Sequence, residues 1–377
     1  MSDSLHLSGE RFQVVYELRG SSDEAAAAAR AIGIEQTVEF PEELVERGSI
    51  REQIFGQLTD FHAIDDDVHE ATISYSVDLT GGELPQLLNV IFGNTSLKPG
   101  VRVKRLELPA ALLRMFRGPR FGRDGWRERL AVGKRPLLCT ALKPMGLSPH
   151  ELARLAYQFA RGGIDIVKDD HGLANQPFCP FEERVKRCVE AVGKATSETG
   201  ERVLYAPNVT SPADQLAARA HFAKREGAGA LLISPGLMSF DSVRYLAADD
   251  ALSLPLIVHP ALQGSFLVHR SNGISHGVLL AQIPRLAGAD AVIFPHAGGR
   301  FSFTPDDCRE IARAAAEPIE GIAPILPVPA GGMPLARVPE LWEFYGNDVI
   351  LLIGGALHRG KDIIATCREF RRCVEAG

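Results

Sequence analysis

Four consecutive residues, Lys168-Asp169-Asp170-His171, close the stretch Gly162-Gly163-Ile164-Asp165-Ile166-Val167. Ile164, Ile166 and Val167 have the β-branched composition of a strand buried on both faces. Charge at the end of such a strand has to be paired or to bind a metal. Strand residues two apart point the same way, so Lys168 and Asp170 share a side and Asp169 faces the other. Asp and His ligate divalent ions, whereas a protonated lysine has no lone pair to offer. Lys168 can join a metal site only when neutral or modified, for instance as a carbamate formed with CO2. The competing reading is a Lys168–Asp170 ion pair capping the strand, with His171 opening a loop.

Other chemistry-bearing residues also follow apolar runs. Lys143 comes just after Thr140-Ala141-Leu142; near a metal it can act as acid or base, and otherwise it is a solvated loop lysine. His259 closes Pro255-Leu256-Ile257-Val258, either as a ligand or donor to a substrate oxygen or bonded to a neighbouring loop. His296 and Arg300 lie in Phe294-Pro295-His296-Ala297-Gly298-Gly299-Arg300. The glycines there make a mobile loop, and Arg300 either clamps a phosphate or stays a surface charge. Gly331-Gly332 and Gly354-Gly355 suit phosphate binding through backbone N–H groups, or tight turns before helices.

A regular alternation of elements must position these groups. Apolar strands are expected at 137–141, 164–168, 203–207, 230–234, 256–259, 291–294, 325–328 and 349–353. Helical stretches fall between them, for example 150–161, 181–193, 213–226 and 305–316. The periodicity also allows an open doubly wound sheet, but the count of eight favours a (β/α)8 barrel. Barrel active sites lie at the C-terminal strand ends. Those ends carry Thr140, Lys143, Lys168, Asp170, His171, Asn208, Ser234, His259 and His296, with the Gly-Gly pairs after the last two strands. Upstream, strands at 12–18, 71–77 and 101–108 mix with helices at 23–31 and 83–92. The fold class expected is α/β: a small ferredoxin-like α+β domain (1–116), a linker rich in turn residues and charge (117–134), and a C-terminal (β/α)8 TIM barrel (135–377).

Composition narrows the function classes. The 377 residues are 45% hydrophobic and 23% charged, with net charge −6, as in ordinary soluble globular proteins. No Lys/Arg run makes a basic patch, which argues against nucleic acid. Six cysteines without a C-x-x-C pair read as free thiols in a reducing compartment. Residues 1–9 are polar and lack an apolar signal core, and no apolar run nears the ~20 residues of a membrane span. A cytoplasmic protein with no membrane partner is expected.

Taken together, these residues resemble the large subunit of ribulose-bisphosphate carboxylase (RuBisCO), and more closely the RuBisCO-like proteins. The resemblance covers nearly the whole chain. It rests on Gly162–His171 followed by Asn175-Gln176-Pro177-Phe178, on Gly93-Asn94, on Leu106-Glu107-Leu108-Pro109 and Phe116-Arg117-Gly118-Pro119, and on Leu326–Gly332 and Ile353-Gly354-Gly355. It implies that Lys168, as a carbamate, and Asp170 bind Mg2+, with His171 where the family usually has a glutamate ligand. It implies Lys143 as a catalytic lysine, His259 as a substrate-binding histidine and the glycine turns as phosphate sites. Asn94, with Glu35 in the segment that also crosses over, would reach the active site of a neighbouring subunit, so the implied unit is at least a homodimer.

The departures matter as well. The second lysine of the usual Lys-Pro-Lys-Leu-Gly-Leu is missing from Lys143-Pro144-Met145-Gly146-Leu147. Pro260 replaces a phosphate-gripping arginine, and the loop through Arg300 lacks the carboxylase's mobile lysine. CO2 fixation is therefore not expected. The family chemistry is an enolate stabilised by Mg2+. The lost base and phosphate grips suggest decarboxylation of a phosphorylated β-keto sugar acid, nearest the 3-oxo-isoapionate 4-phosphate type, with Lys143 as the acid. The alternatives are an enolase or isomerase of a methylthio-pentulose phosphate, a transcarboxylase or hydrolase of the same keto acid phosphate, and a sugar-phosphate binder without catalysis.

Overall fold

The computed structural model describes residues 5–376, so the first four residues of the polar N-terminal stretch lie outside it. Four strands come first: β1 (Arg11–Arg19), β2 (Gln57–Asp65), β3 (Val68–Ser76) and β4 (Val101–Glu107). They form an antiparallel sheet in the order β4-β1-β3-β2. Phe12, Val14, Tyr16 and Leu18 alternate along β1 and are buried in one core with Ala25, Ala29 and Ile32 of the helix Ser22–Glu35. Ser21 and Glu24 form a capping box that starts this helix, and its alanine run sustains it. The order of strands and helices is the ferredoxin-like arrangement. Strand β2 was not expected: it is the exposed edge of the sheet, and an edge strand with little to bury carries no clean alternation.

The barrel strands are β5 (Leu137–Leu142), β6 (Ile166–Asp169), β7 (Leu204–Ala206), β8 (Leu231–Ile233) and β9 (Leu256–Val258), then β11 (Ala291–Pro295), β12 (Leu326–Ala330) and β13 (Ile350–Leu352). Between β9 and β11 a two-residue strand, β10 (Gly273–Ile274), leaves the barrel and pairs in parallel with β4. The eight barrel strands run parallel in the order β7-β6-β5-β13-β12-β11-β9-β8, and a parallel bridge between Asn208 and Leu232 joins the two ends. Alternate residues fill the interior, among them Cys139, Ile166, Ala206, Leu232, Ile257 and Val328. The intervening residues Leu138, Leu142, Val167 and Leu351 pack with the surrounding helices.

The segment 117–134, expected as a linker, contains the helix Gly122–Leu130. The helix is charged on every side but one, which is why it read as linker. That side carries Trp126 and Leu130, which pack among the interior residues Leu137 and Ile166. Asp290 fixes it there. One carboxylate oxygen accepts the Phe121 and Gly122 N–H groups at 2.8 and 2.7 Å, and the other accepts Leu256 N–H at 2.9 Å. The Asp290 carbonyl accepts the Trp126 indole N–H at 3.2 Å. Among the described residues no helix is long and apolar enough to cross a membrane.

Asp290→Ala would strand the Phe121, Gly122 and Leu256 N–H donors in the interior, while the carbonyl that holds Trp126 stays. Each buried unpaired group costs roughly 1–3 kcal/mol, so equilibrium urea unfolding is expected to show a loss of at least about 3 kcal/mol. A loss under about 1 kcal/mol would mean that the helix is held by apolar packing alone.

Candidate active site

Strand β6 lies between β5 and β7, with Lys168 paired to Ala141 on one side and Ala206 on the other. Lys168 is buried, and its Nζ donates to the Asp169 carbonyl at 3.0 Å. Burial pushes its ammonium below the ordinary lysine range, against the opposing pull of Cys139 and Asp170. Asp169 faces the other way, as strand parity requires. It accepts Arg184 Nε at 3.0 Å, the Tyr205 hydroxyl at 2.7 Å and Asn208 N–H at 3.0 Å. Arg184 also donates to the carbonyls of Cys179 and Ala174, and the Asn208 amide donates to the carbonyls of His171 and Leu173. The backbone that carries Asp170 and His171 is thus tied down from outside the barrel.

Asp170, His171, Lys143 and His259 converge beside Lys168. Lys143 Nζ lies 2.9 Å from Asp170 Oδ1, and His171 Nδ1 lies 3.4 Å from the same oxygen. Burial alone would raise the Asp170 carboxyl, but hydrogen bonds from His171 and Lys143 hold it well below the usual carboxylate range. The imidazoles of His171 and His259 stack at 4.1 Å with 12° between their planes. Burial pushes His259 down to about 2, with Lys168 and His171 adding to the effect, so the ring is neutral. Its Nδ1 accepts Ala261 N–H at 3.2 Å, which assigns the ring proton to Nε2. His259 is therefore a donor on its free side.

The donor set fits a divalent cation. Asp170 brings a carboxylate and His171 an imidazole, and burial moves Lys168 toward the neutral amine that carbamate formation needs. A second cluster, His276, Asp307 and Glu310, also has ligand atoms within 4.8 Å of one another. There Arg270 already grips both Asp307 oxygens, and Glu310 accepts Gly277 N–H.

Two further elements frame the mouth. Gly331 and Gly332 have φ of 88° and 64°, and a Cβ on Gly331, Gly354 or Gly355 would meet nothing within 4 Å. His296 Nδ1 bonds the Tyr345 hydroxyl at 2.8 Å, and Arg337 reaches His296 Nε2 at 3.3 Å and the Gly332 carbonyl at 3.3 Å. Arg337 was missed from the sequence; its only signal is a cation a few residues beyond a Gly-Gly turn. Arg300 is exposed, its guanidinium 5.0 Å from the Phe301 ring centroid.

The structure does not bring Thr140 or Asn94 to this cluster. Thr140 shares the helix-facing parity of Leu138 and Leu142, and its hydroxyl donates to the Ile353 carbonyl at 2.7 Å. Asn94 belongs to the N-terminal unit, where its amide donates to Glu35 and Glu39, both at 3.1 Å. Lys98 lies 3.9 Å from Glu35. Glu39 and Lys98 were not singled out from the sequence, because nothing in the spacing of 39, 94 and 98 shows that the chain returns to one spot.

The model for the ribulose bisphosphate carboxylase large chain, catalytic domain, matches residues 124–376. The chain is 41% identical over 351 residues to ribulose bisphosphate carboxylase-like protein 1 of Rhodopseudomonas palustris, covering 92% of this chain and 93% of that protein. It is 37% identical over 354 residues to the 5-methylthioribulose-1-phosphate isomerase of Rhodospirillum rubrum, covering 94% and 93%. It is 36% identical over 309 residues to the 2,3-diketo-5-methylthiopentyl-1-phosphate enolase of Geobacillus kaustophilus, covering 81% and 73%. The crystal structure of a RuBisCO-like protein from Rhodopseudomonas palustris superposes with a TM-score of 0.89 at 36% identity over 97% of both chains. A dimeric archaeal RuBisCO from Hyperthermus butylicus superposes with a TM-score of 0.87 at 29% identity, covering 99% of this chain and 91% of that one.

These relatives correct the expectation of a decarboxylase: the two named for a reaction on a phosphorylated methylthio compound are an isomerase and an enolase. The inference from lost groups failed because it cast Lys143 only as an acid, whereas the structure gathers Lys143 and His171 around one Asp170 oxygen, groups that can take a proton as well as give one. On the family match and on identity over nearly its whole length, the chain belongs to the ribulose bisphosphate carboxylase large-chain family, among its RuBisCO-like proteins.

Proposed function

We propose that this protein is an enolase or isomerase acting on a methylthio-pentulose phosphate. The observation that carries the reading is the convergence of Lys143, Asp170, His171 and His259 at the end of β6. The isomerase and enolase relatives agree with it. Lys168 as a carbamate, Asp170 and His171 would hold Mg2+, which when bound supplies a Lewis acid for negative charge developing on a substrate oxygen.

The remaining work falls to the chain's own groups. The open glycine turns at 331–332 and 354–355 offer backbone N–H groups to the phosphate. Arg337, itself paired with Glu340, reaches the Gly332 carbonyl and holds His296 beside this rim, and Arg300 follows Gly299, whose Cα lies close to Gly332. His259 presents Nε2–H to a substrate oxygen. Lys143 moves the proton: the ion pair with Asp170 holds its Nζ beside the residues that would hold Mg2+, where a general acid–base group has to stand. Asn94, with Glu35, would complete the site of a partner subunit. A homodimer is the smallest unit on this reading, and the dimeric archaeal relative has such an assembly.

Incubation with 5-methylthioribulose 1-phosphate in D2O and Mg2+ is expected to place deuterium on the carbon beside the carbonyl, with no CO2 released. Absence of both exchange and turnover would sink the proposal. Lys143→Met is expected to lower kcat by roughly 10²–10⁴-fold while the folded enzyme still binds substrate; unchanged kcat would remove Lys143 from the proton path. His171→Glu restores a carboxylate to the ligand set, so Mg2+ titration followed by activity should show tighter binding. Unchanged binding would mean that the side chain at 171 is not a ligand.

A further inference from the structure

Ser234 stands one residue beyond β8 and has no part in the chemistry described above. Its side chain is fully buried, and its Oγ has no hydrogen-bond partner among the described residues. Leaving a buried hydroxyl unpaired is unfavourable, and native interiors rarely do so. The polar groups around it are satisfied. The Ser234 N–H donates to Thr210 Oγ1 at 2.9 Å, and the Asn208 amide is engaged at both ends. Among the described residues, the hydroxyl is thus a buried side-chain group at this part of the barrel rim left without a partner.

Two observations give its direction and level. Ala230 and Leu232 belong to the barrel interior, while Leu231 and Ile233 pack on the helix side. Ser234 continues the inward series. Ile233 pairs with Val258, and His259 N–H donates to the Ile233 carbonyl at 2.9 Å. Ser234 is therefore level with His259 on the neighbouring strand, about 4.8 Å away across the sheet. One side chain offers a fixed N–H donor, and the other a hydroxyl that can both donate and accept.

We propose that Ser234 is a specificity-determining residue whose hydroxyl bonds a hydroxyl or carbonyl oxygen of the sugar chain next to the oxygen that His259 contacts. The inference rests on the enolase or isomerase reading for its ligand class, polyhydroxylated pentulose phosphates. The bond satisfies a group that the fold leaves unpaired, so it favours ligands that carry this oxygen over deoxy ligands, which leave the hydroxyl unpaired.

Calorimetry with the full-length enzyme and Mg2+ tests this, using 5-methylthioribulose 1-phosphate and its 3-deoxy and 4-deoxy analogues as probes against wild type and Ser234→Ala. The wild type should prefer the parent ligand. Ser234→Ala should keep or raise Tm, weaken the parent by roughly tenfold or more, and leave one deoxy analogue unchanged. Equal losses for all three ligands, or a shift in Tm with no change in affinity, would overturn the assignment. A wild type that binds the parent without turnover would end the functional reading, while the Ser234 comparison still decides by binding. A wild type that binds none of the three would overturn both.

Discussion

The buried ion pair between Asp169 and Arg184 is the contact on which the rest of the site depends. Both side chains are fully buried, with Nε 3.0 Å from Oδ2. Taking two charges out of water is costly, and such a pair is tolerable only when the remaining donors and acceptors are also matched. Here they are. Asp169 takes further bonds from Tyr205 and Asn208, and Arg184 gives its other N–H groups to the carbonyls of the following loop. Breaking such a pair typically costs about 3–5 kcal/mol. Its position explains its consequence: Asp169 is the outward-facing residue between two inward-facing ones. Pinning it fixes the rotation of the strand end, so Lys168 and Asp170 have one available direction.

That arrangement lets the inner face be electrostatically uncomfortable. Lys168 is buried against its own preference for charge, and His259 is held neutral. Lys143 and His171 crowd one carboxylate oxygen of Asp170. Lys168 and His259 would not choose this environment in isolation. They stay because the satisfied network outside the barrel and the apolar layer below it, Cys139 and Ile166 among others, leave the backbone no alternative. Favourable contacts on one side of β6 support strained chemistry on the other, the usual division between scaffold and site.

How much of this was legible in the sequence depends on the range of the contact. The alternation of Lys168, Asp169 and Asp170 is a local property of strands, and its consequence was readable from three letters. The eight barrel strands were readable because each is a short apolar run between helices, although their ends moved by a residue or two. The stack of His171 on His259 joins residues far apart in the chain, and no local pattern announces it. The same holds for Arg337 beside His296, and for Glu39 beside Asn94. The helix Gly122–Leu130 was hidden for a different reason: its buried side is only one or two residues wide, so its charges outvoted Trp126. The choice of reaction was the least legible. Enolisation and decarboxylation lead to the same stabilised anion and ask for the same ligands.

The segment between β9 and β11 links the two halves of this design. It leaves the barrel just after His259, places Gly273–Ile274 against β4, and returns to β11. Arg102 of β4 donates to the His269 carbonyl at 2.6 Å. Asn272 accepts Gly100 N–H at 2.9 Å and donates to the Lys98 carbonyl at 3.2 Å. The backbone of Lys98, four residues past Asn94, is thereby locked to the strand-to-strand connection that begins at His259. A domain that merely leaned on its barrel could place Asn94 and Glu35 only loosely. A domain sharing a strand and these hydrogen bonds with the barrel is braced against it, which constrains the orientation of the outward-facing Asn94–Glu35–Glu39 cluster. A site completed across a subunit boundary needs that rigidity, because an error of about 1 Å in placing a reacting group can forfeit orders of magnitude in rate.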